Sequence, residues 1–288
     1  MTRDLAASVR ARLLAIAKSE RSNFNQLLVR YALERFLYRL STSAHADRFV
    51  LKGALLFTLW YDMPHRPTRD ADLLGFGPSD LRSIGETFRD VASISVDDGI
   101  TFDPESVTAE DIRKDAGYAG ARVVISGELA TARCRTQFDI GFGDAVTPGP
   151  VPSRYPVLLE DFPAPHLRTY PVYTVIAEKL HAIALLGMTN SRIKDYLDLC
   201  VMLDRESLNT QTLAQAISAT FSRRGTAIPA GLPMGLSDEF AADPSRQALW
   251  AAFVKKNDLA MIPLADVVTR IRSALAPAIG VAARAPKA

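Results

Sequence analysis

The sequence predicts an α/β protein of two lobes, a mixed-sheet lobe flanked by helices over residues 1–165 and a mainly helical lobe over residues 166–288. Three observations carry this expectation. Residues 48–164 interleave short apolar runs with helical periodicities, punctuated by Gly, Asp and Pro. A proline-rich connector runs from Pro148 to Pro171. Beyond it, apolar residues recur at helical spacing to Leu275. Composition agrees: 288 residues with 48% hydrophobic and 23% charged side chains can build a real core.

Taken in order, Leu5, Val9, Leu13, Leu14 and Ile16 mark a first helix, and Leu27, Leu28, Tyr31, Ala32, Phe36 and Leu37 a second. Ser22 and Asn23 supply the break and cap between them. Their role is packing against the sheet, since they lack a basic recognition face for DNA. Arg48–Leu51 reads as a strand, Leu55–Tyr61 as a helix, Asp72–Gly75 as a strand and Ser79–Val91 as a helix with Asp80 in its first turn. Strands follow at Val107, Arg122–Ile125 and Cys134–Gly141. In the last of these, alternation puts Arg133, Arg135, Gln137 and Asp139 on one face. The helical lobe begins with Val172–Leu186, closed by Gly187. Helices at Arg192–Asp204, Thr210–Phe221, Pro244–Lys256 and Leu264–Leu275 come next, before a frayed small-residue tail.

Several function classes are disfavoured. The formal net charge of +2 is too small to argue nucleic-acid binding by itself. Two cysteines, Cys134 and Cys200, make no disulfide framework and fit a reducing compartment. The amphipathic N-terminus has no uninterrupted apolar core of a signal peptide, and no apolar run is read as a membrane span. The expected setting is the cytoplasm, with no membrane partner.

The chemistry concentrates between Leu51 and Leu74. Asp70 and Asp72 alternate on a strand and so point the same way. Two adjacent carboxylates repel unless a cation lies between them, and a hard cation such as Mg²⁺ recruits clustered carboxylate oxygens. An isolated Asp-x-Asp is more often a pair of surface aspartates, but the Lys52-Gly53 turn entering a helix alters that balance, because such a turn suits a phosphate. Asp139, from a neighbouring strand, is either a third metal ligand or a general base. The loop Met63–Arg69 adds His65, Arg66, Thr68 and Arg69, whose arginines can grip phosphates or neutralise the aspartates. A Thr68 hydroxyl facing the cleft is open to a modification that would repel a triphosphate. Glu178, Lys179 and His181 share a helix, where spacing alone favours a solvated charged face. Asp195 and Asp198 lie three apart on one helical face with Arg192 one turn earlier, either a charge network that positions the helix or part of a site.

Arg66-x-Thr68-x-Asp70-x-Asp72, preceded by Leu51-Lys52-Gly53, resembles the signature of the DNA polymerase β-type nucleotidyltransferase fold. Ile176-Ala177-Glu178-Lys179-Leu180 and Arg192-x-Lys194-Asp195-x-x-Asp198-Leu199 narrow the resemblance to the AbiEii-like nucleotidyltransferase toxins of type IV toxin–antitoxin pairs, mycobacterial toxins included. The similarity covers residues 48–203. It implies a bilobed enzyme that transfers a nucleoside monophosphate from an NTP to RNA, at the tRNA 3′ end, with Mg²⁺ or Mn²⁺ and a cognate antitoxin as partner. It implies catalytic roles for Asp70, Asp72 and Lys179 and for an acidic residue among Asp195 and Asp198. Asp139 completes the metal-binding carboxylates, and Lys52, Gly53, Ala54, Arg66, Thr68 and Arg69 the nucleotide-binding set. Ala54 departs from the family's Gly-Ser or Gly-Gly turn, so phosphate binding leans on backbone amides or Lys52. The rival readings are transfer to a protein or small molecule, and an inactive module that only binds NTP or RNA.

Overall fold

The computed structural model describes residues 4–61, 68, 70–112, 120–260 and 262–284. It forms two compact units, one of Met1–Gly143 with Val151–Thr169 and one of Asp144–Pro150 with Tyr170–Ala288.

The first unit opens with α1 (Leu5–Ser19) and α2 (Phe24–Thr42). Asn23 caps α2 by accepting from the backbone N–H groups of Asn25 and Gln26, which satisfies donors the helix cannot pair itself. The strands are β1 (Phe49–Lys52), β2 (Asp70–Gly75), β3 (Ile100–Phe102), β4 (Thr108–Asp111), β5 (Gly120–Leu129), β6 (Ala132–Phe142), β7 (Val151–Arg154) and β8 (His166–Thr169). Helices α3 (Leu55–Tyr61) and α4 (Leu81–Ala92) flank β2 in sequence, and Asp80 stands outside α4 as its N-cap rather than in its first turn. The strand order is β3-β5-β6-β2-β1-β8-β7, with β4 also on β5. β2 runs parallel to β6 and β1 parallel to β8, so the sheet is mixed.

One sheet face carries the core. Ala71, Leu73, Val123, Ile125, Phe138 and Ile140 are buried. Phe36 of α2 meets Phe138 with ring centroids 4.7 Å apart and also touches Phe88 of α4 and Phe102 of β3. Behind this cluster lies an ion network. Arg35 and Arg39 both donate to the buried carboxylate of Asp98, at 2.9 and 2.7 Å. The Tyr31 hydroxyl donates to the Asp98 carbonyl. Glu34 accepts from the Leu158 backbone N–H at 2.7 Å, and burial pushes its carboxyl up to about 7. Two arginines compensating one carboxylate make such burial tolerable.

The expected connector from Pro148 to Pro171 is corrected by the structure: it holds the β7–β8 hairpin, which pairs Val151 with Thr169 and Arg154 with His166. Pro152 is accommodated because β7 is an edge strand. Leu51 of β1 then pairs with Thr169, adding the hairpin to the sheet.

The second unit contains α5 (Val172–Leu186), α6 (Lys194–Arg205), α7 (Thr210–Arg223), the short α8 (Asp238–Ala242), α9 (Pro244–Lys256) and α10 (Leu264–Arg284). α5 packs on α6 and α7, and α10 packs on both of those. Val172–Thr189 is long and apolar enough to cross a membrane by length and composition, which the sequence reading does not recognise. Its ion-paired Glu178 and Lys179 identify a core helix instead. The frayed tail is also corrected. Helix α10 runs past Pro277 to Arg284, because Leu275, Ala278, Ile279 and Ala282 continue its buried stripe.

Candidate active site

On the polar side of the sheet, the strand registers line up one row of charge. Lys52 of β1 pairs with Asp72 of β2, and Asp72 with Asp139 of β6. Asp139 pairs with Arg122 of β5, and Arg122 with Glu110 of β4. Directly paired residues share a sheet face with Cβ atoms about 5 Å apart. The row therefore juxtaposes side chains that are far apart in sequence. Asp70 lies two residues before Asp72 on the same face, paired in register with Gln137.

Both carboxylates of β2 are half-buried. Thr68 donates to Asp70 Oδ1 at 3.2 Å. Gly53 has φ +75°, and a Cβ there would lie 2.1 Å from Asp72 Oδ2. Glycine is thus required both by the backbone and by the aspartate pressed against the turn. Ala54 follows in the same turn, ahead of α3.

Asp139 has a defined partner. Arg122 donates to it through Nε at 2.9 Å and Nη2 at 3.0 Å, and Gln137 adds a bond to Oδ1 at 3.1 Å. The paired carboxylate holds the Arg122 guanidinium above its ordinary pKa. Sequence reasoning places Arg122 only at the start of a strand. Its pairing with Asp139 depends on a cross-strand register that no local pattern reveals. Arg133 and Arg135 share the Asp139 face of β6 but line an open depression of about 650 Å³ with Thr101 and Asp103, toward the other end of the strand. His65, Arg66 and Arg69 lie outside the described residues.

Among the described residues no three His, Cys, Asp or Glu side chains converge as a metal-ligand group. Mg²⁺ often takes only one or two carboxylates and completes its shell with water and phosphate oxygens. Asp70 and Asp72, two hard oxygen donors on one face, fit that requirement.

The second unit holds its own buried cluster. Lys179 of α5 donates to Asp195 Oδ1 and Asp198 Oδ2 of α6, each at 2.7 Å. Arg192, which precedes α6 instead of lying within it, reaches Asp195 Oδ2 at 2.8 Å. Burial opposes the charge on Lys179, but Asp198 and Asp195 outweigh it and raise its pKa. Burial likewise opposes ionisation of Asp195, and the Lys179 and Arg192 charges overcome it, leaving its pKa lowered. Lys179 and Asp195 are thus each held in the charged form. His181 is different. Burial and the Arg224 charge lower its pKa to about 4. Its Nδ1 accepts from Arg224 at 3.1 Å, which leaves the Nε2 proton for Thr226 at 2.8 Å. Arg224 also meets Glu178 at 3.2 Å.

The structure thus sets a carboxylate pair beside the Gly53 turn on a mixed sheet. Residues 35–275 match the family described as nucleotidyl transferase AbiEii toxin, type IV TA system, and the chain belongs to that family. The family brings with it an NTP substrate, a divalent metal and an antitoxin partner. No curated protein matches the chain. Two solved structures from Helicobacter pylori are similar to it. JHP933 shares 15% identity over 86% of this chain and 88% of its own, with a TM-score of 0.47. A provisionally named nucleotidyltransferase shares 16% over 86% and 91%, with a TM-score of 0.46.

Proposed function

We propose that this toxin transfers a nucleoside monophosphate from an NTP to an RNA acceptor, the 3′ end of tRNA, with Mg²⁺ at Asp70 and Asp72. The observation that carries this reading is the half-buried carboxylate pair on β2, with Asp72 against the Gly53 turn and in register with the Asp139–Arg122 pair. When bound, the divalent cation neutralises phosphate charge as pyrophosphate departs. Lys52, next to Asp72 in register, adds positive charge beside the phosphates. Thr68 holds Asp70 through its hydroxyl and fixes the direction of that carboxylate. The acceptor oxygen takes the place of pyrophosphate at the α-phosphorus. Lys179, Asp195 and Asp198 are assigned to the same reaction on the strength of the family relation.

The test is incubation with each labelled NTP, Mg²⁺ and total RNA. Label in tRNA is the expected result. Label on protein would replace RNA as acceptor, and NTP binding without transfer would make the chain a binding module. Asp70→Asn and Asp72→Asn should each lower transfer by about 10²–10³-fold. An active Asp72→Asn variant would remove the metal assignment.

A further inference from the structure

Arg122 and Asp139 are unequal partners. The Asp139 side chain is 5% exposed and that of Arg122 is 34% exposed. The carboxylate is therefore the fixed element, and the guanidinium extends from it toward open space. Asp139 Oδ1 accepts from both Arg122 and Gln137, which fills its two lone pairs. With Oδ1 so occupied and Oδ2 bonded to Arg122 Nη2, the carboxylate orients the guanidinium. Arg122 uses two of its five N–H donors on Asp139, so a second edge of the guanidinium remains available for a ligand. That edge belongs to the same transverse row as Asp72 and Lys52, and Asp70 lies within electrostatic range of it.

We propose that Arg122 grips the triphosphate of the nucleotide, held in place for that task by Asp139. This rests on the nucleotidyl-transfer reading of the site. A planar guanidinium pinned along one edge presents a rigid fork to phosphate oxygens, and its ordering entropy is already met by the Asp139 bonds. Asp139 then acts as a positioning residue. If Arg122 served only to neutralise the aspartates, its loss would disturb the fold and every nucleotide alike.

The experiment is equilibrium binding with Mg²⁺ of all four NTPs to the full chain, followed by the tightest NTP and its own monophosphate on variants. Arg122→Lys keeps the charge but loses the fork. Arg122→Gln/Asp139→Asn replaces the ion pair with neutral amides of similar shape, so that no buried carboxylate is left uncompensated. Both should bind the triphosphate about tenfold to a hundredfold more weakly, with monophosphate affinity within about twofold and melting temperature near wild type. Asp139→Asn alone should fall between wild type and the double variant. Unchanged triphosphate binding in Arg122→Lys overturns the proposal, as does a proportionate loss of triphosphate and monophosphate. Wild-type protein that binds no NTP would instead sink the nucleotidyl-transfer reading on which it rests.

Discussion

Single residues here answer for local geometry, and three of them give measurable consequences. Gly53→Ala puts a methyl group 2.1 Å from Asp72 Oδ2 at a φ of +75°. Either the turn or the carboxylate must move. Strain of this type costs about 1–3 kcal/mol, so chemical denaturation should show that loss, with transfer falling further because Asp72 is displaced. Glu34 and His181 set opposite pH trends in the two units. Glu34 has its carboxyl raised to about 7 by burial, above its ordinary 4.5. Its contribution is full below pH 4.5 and is lost as pH rises through 7. His181 is depressed to about 4 from 6.5, so its contribution is full above 6.5 and is lost as pH falls through 4. Each contribution is on the order of 1–3 kcal/mol. Unfolding free energies at pH 5 and 7.5 should show that Glu34→Gln removes a decline toward neutral pH. His181→Asn should remove a decline toward acid.

Elements that announce themselves through periodicity were legible from sequence, and those made by long-range pairing were not. Asn23 stands where the capping rule puts it, and Val172–Leu186 and Pro244–Lys256 match their expected bounds. Asp70 and Asp72 were legible because alternation on one strand is a local property. Arg122 was not, since its partner is set by the β5–β6 register seventeen positions away. β3 has three residues and β7 contains a proline, so neither shows a strand pattern, and both are held by neighbours in the sheet. The end of α10 shows the same competition within a helix. Pro277 removes one backbone donor, and local rules stop the helix there. The apolar contacts of Ala278, Ile279 and Ala282 carry it onward. Truncation after Ala276 should therefore lower the stability of the helical unit by about 2–4 kcal/mol, mainly through the lost burial of Ile279. A drop below about 0.5 kcal/mol in urea unfolding would mean that the last two turns contribute nothing.

At the scale of the molecule, each unit carries a charge cluster of its own, and the two call for different experiments. On the sheet, Asp70 and Asp72 are half-buried, so single neutral replacements there should report on function, whereas Asp139 is buried against Arg122 and calls for the paired variant. The Lys179 cluster is buried, and removing one member leaves charge uncompensated. Lys179→Met should cost about 3–5 kcal/mol, which makes loss of transfer in that variant uninformative by itself. Lys179→Met/Asp195→Asn/Asp198→Asn removes both signs together and should recover most of the stability. Its pH dependence is a further constraint. The raised pKa of Lys179 keeps its contribution up to and beyond pH 10.5, and the lowered pKa of Asp195 keeps it down to and below 3.8. Lys179 and Asp195 therefore add no slope to stability between pH 5 and 9. If the cluster acts in the reaction, the triple variant will be as stable as wild type and still inactive. If the cluster only braces α5 against α6, transfer will return together with stability.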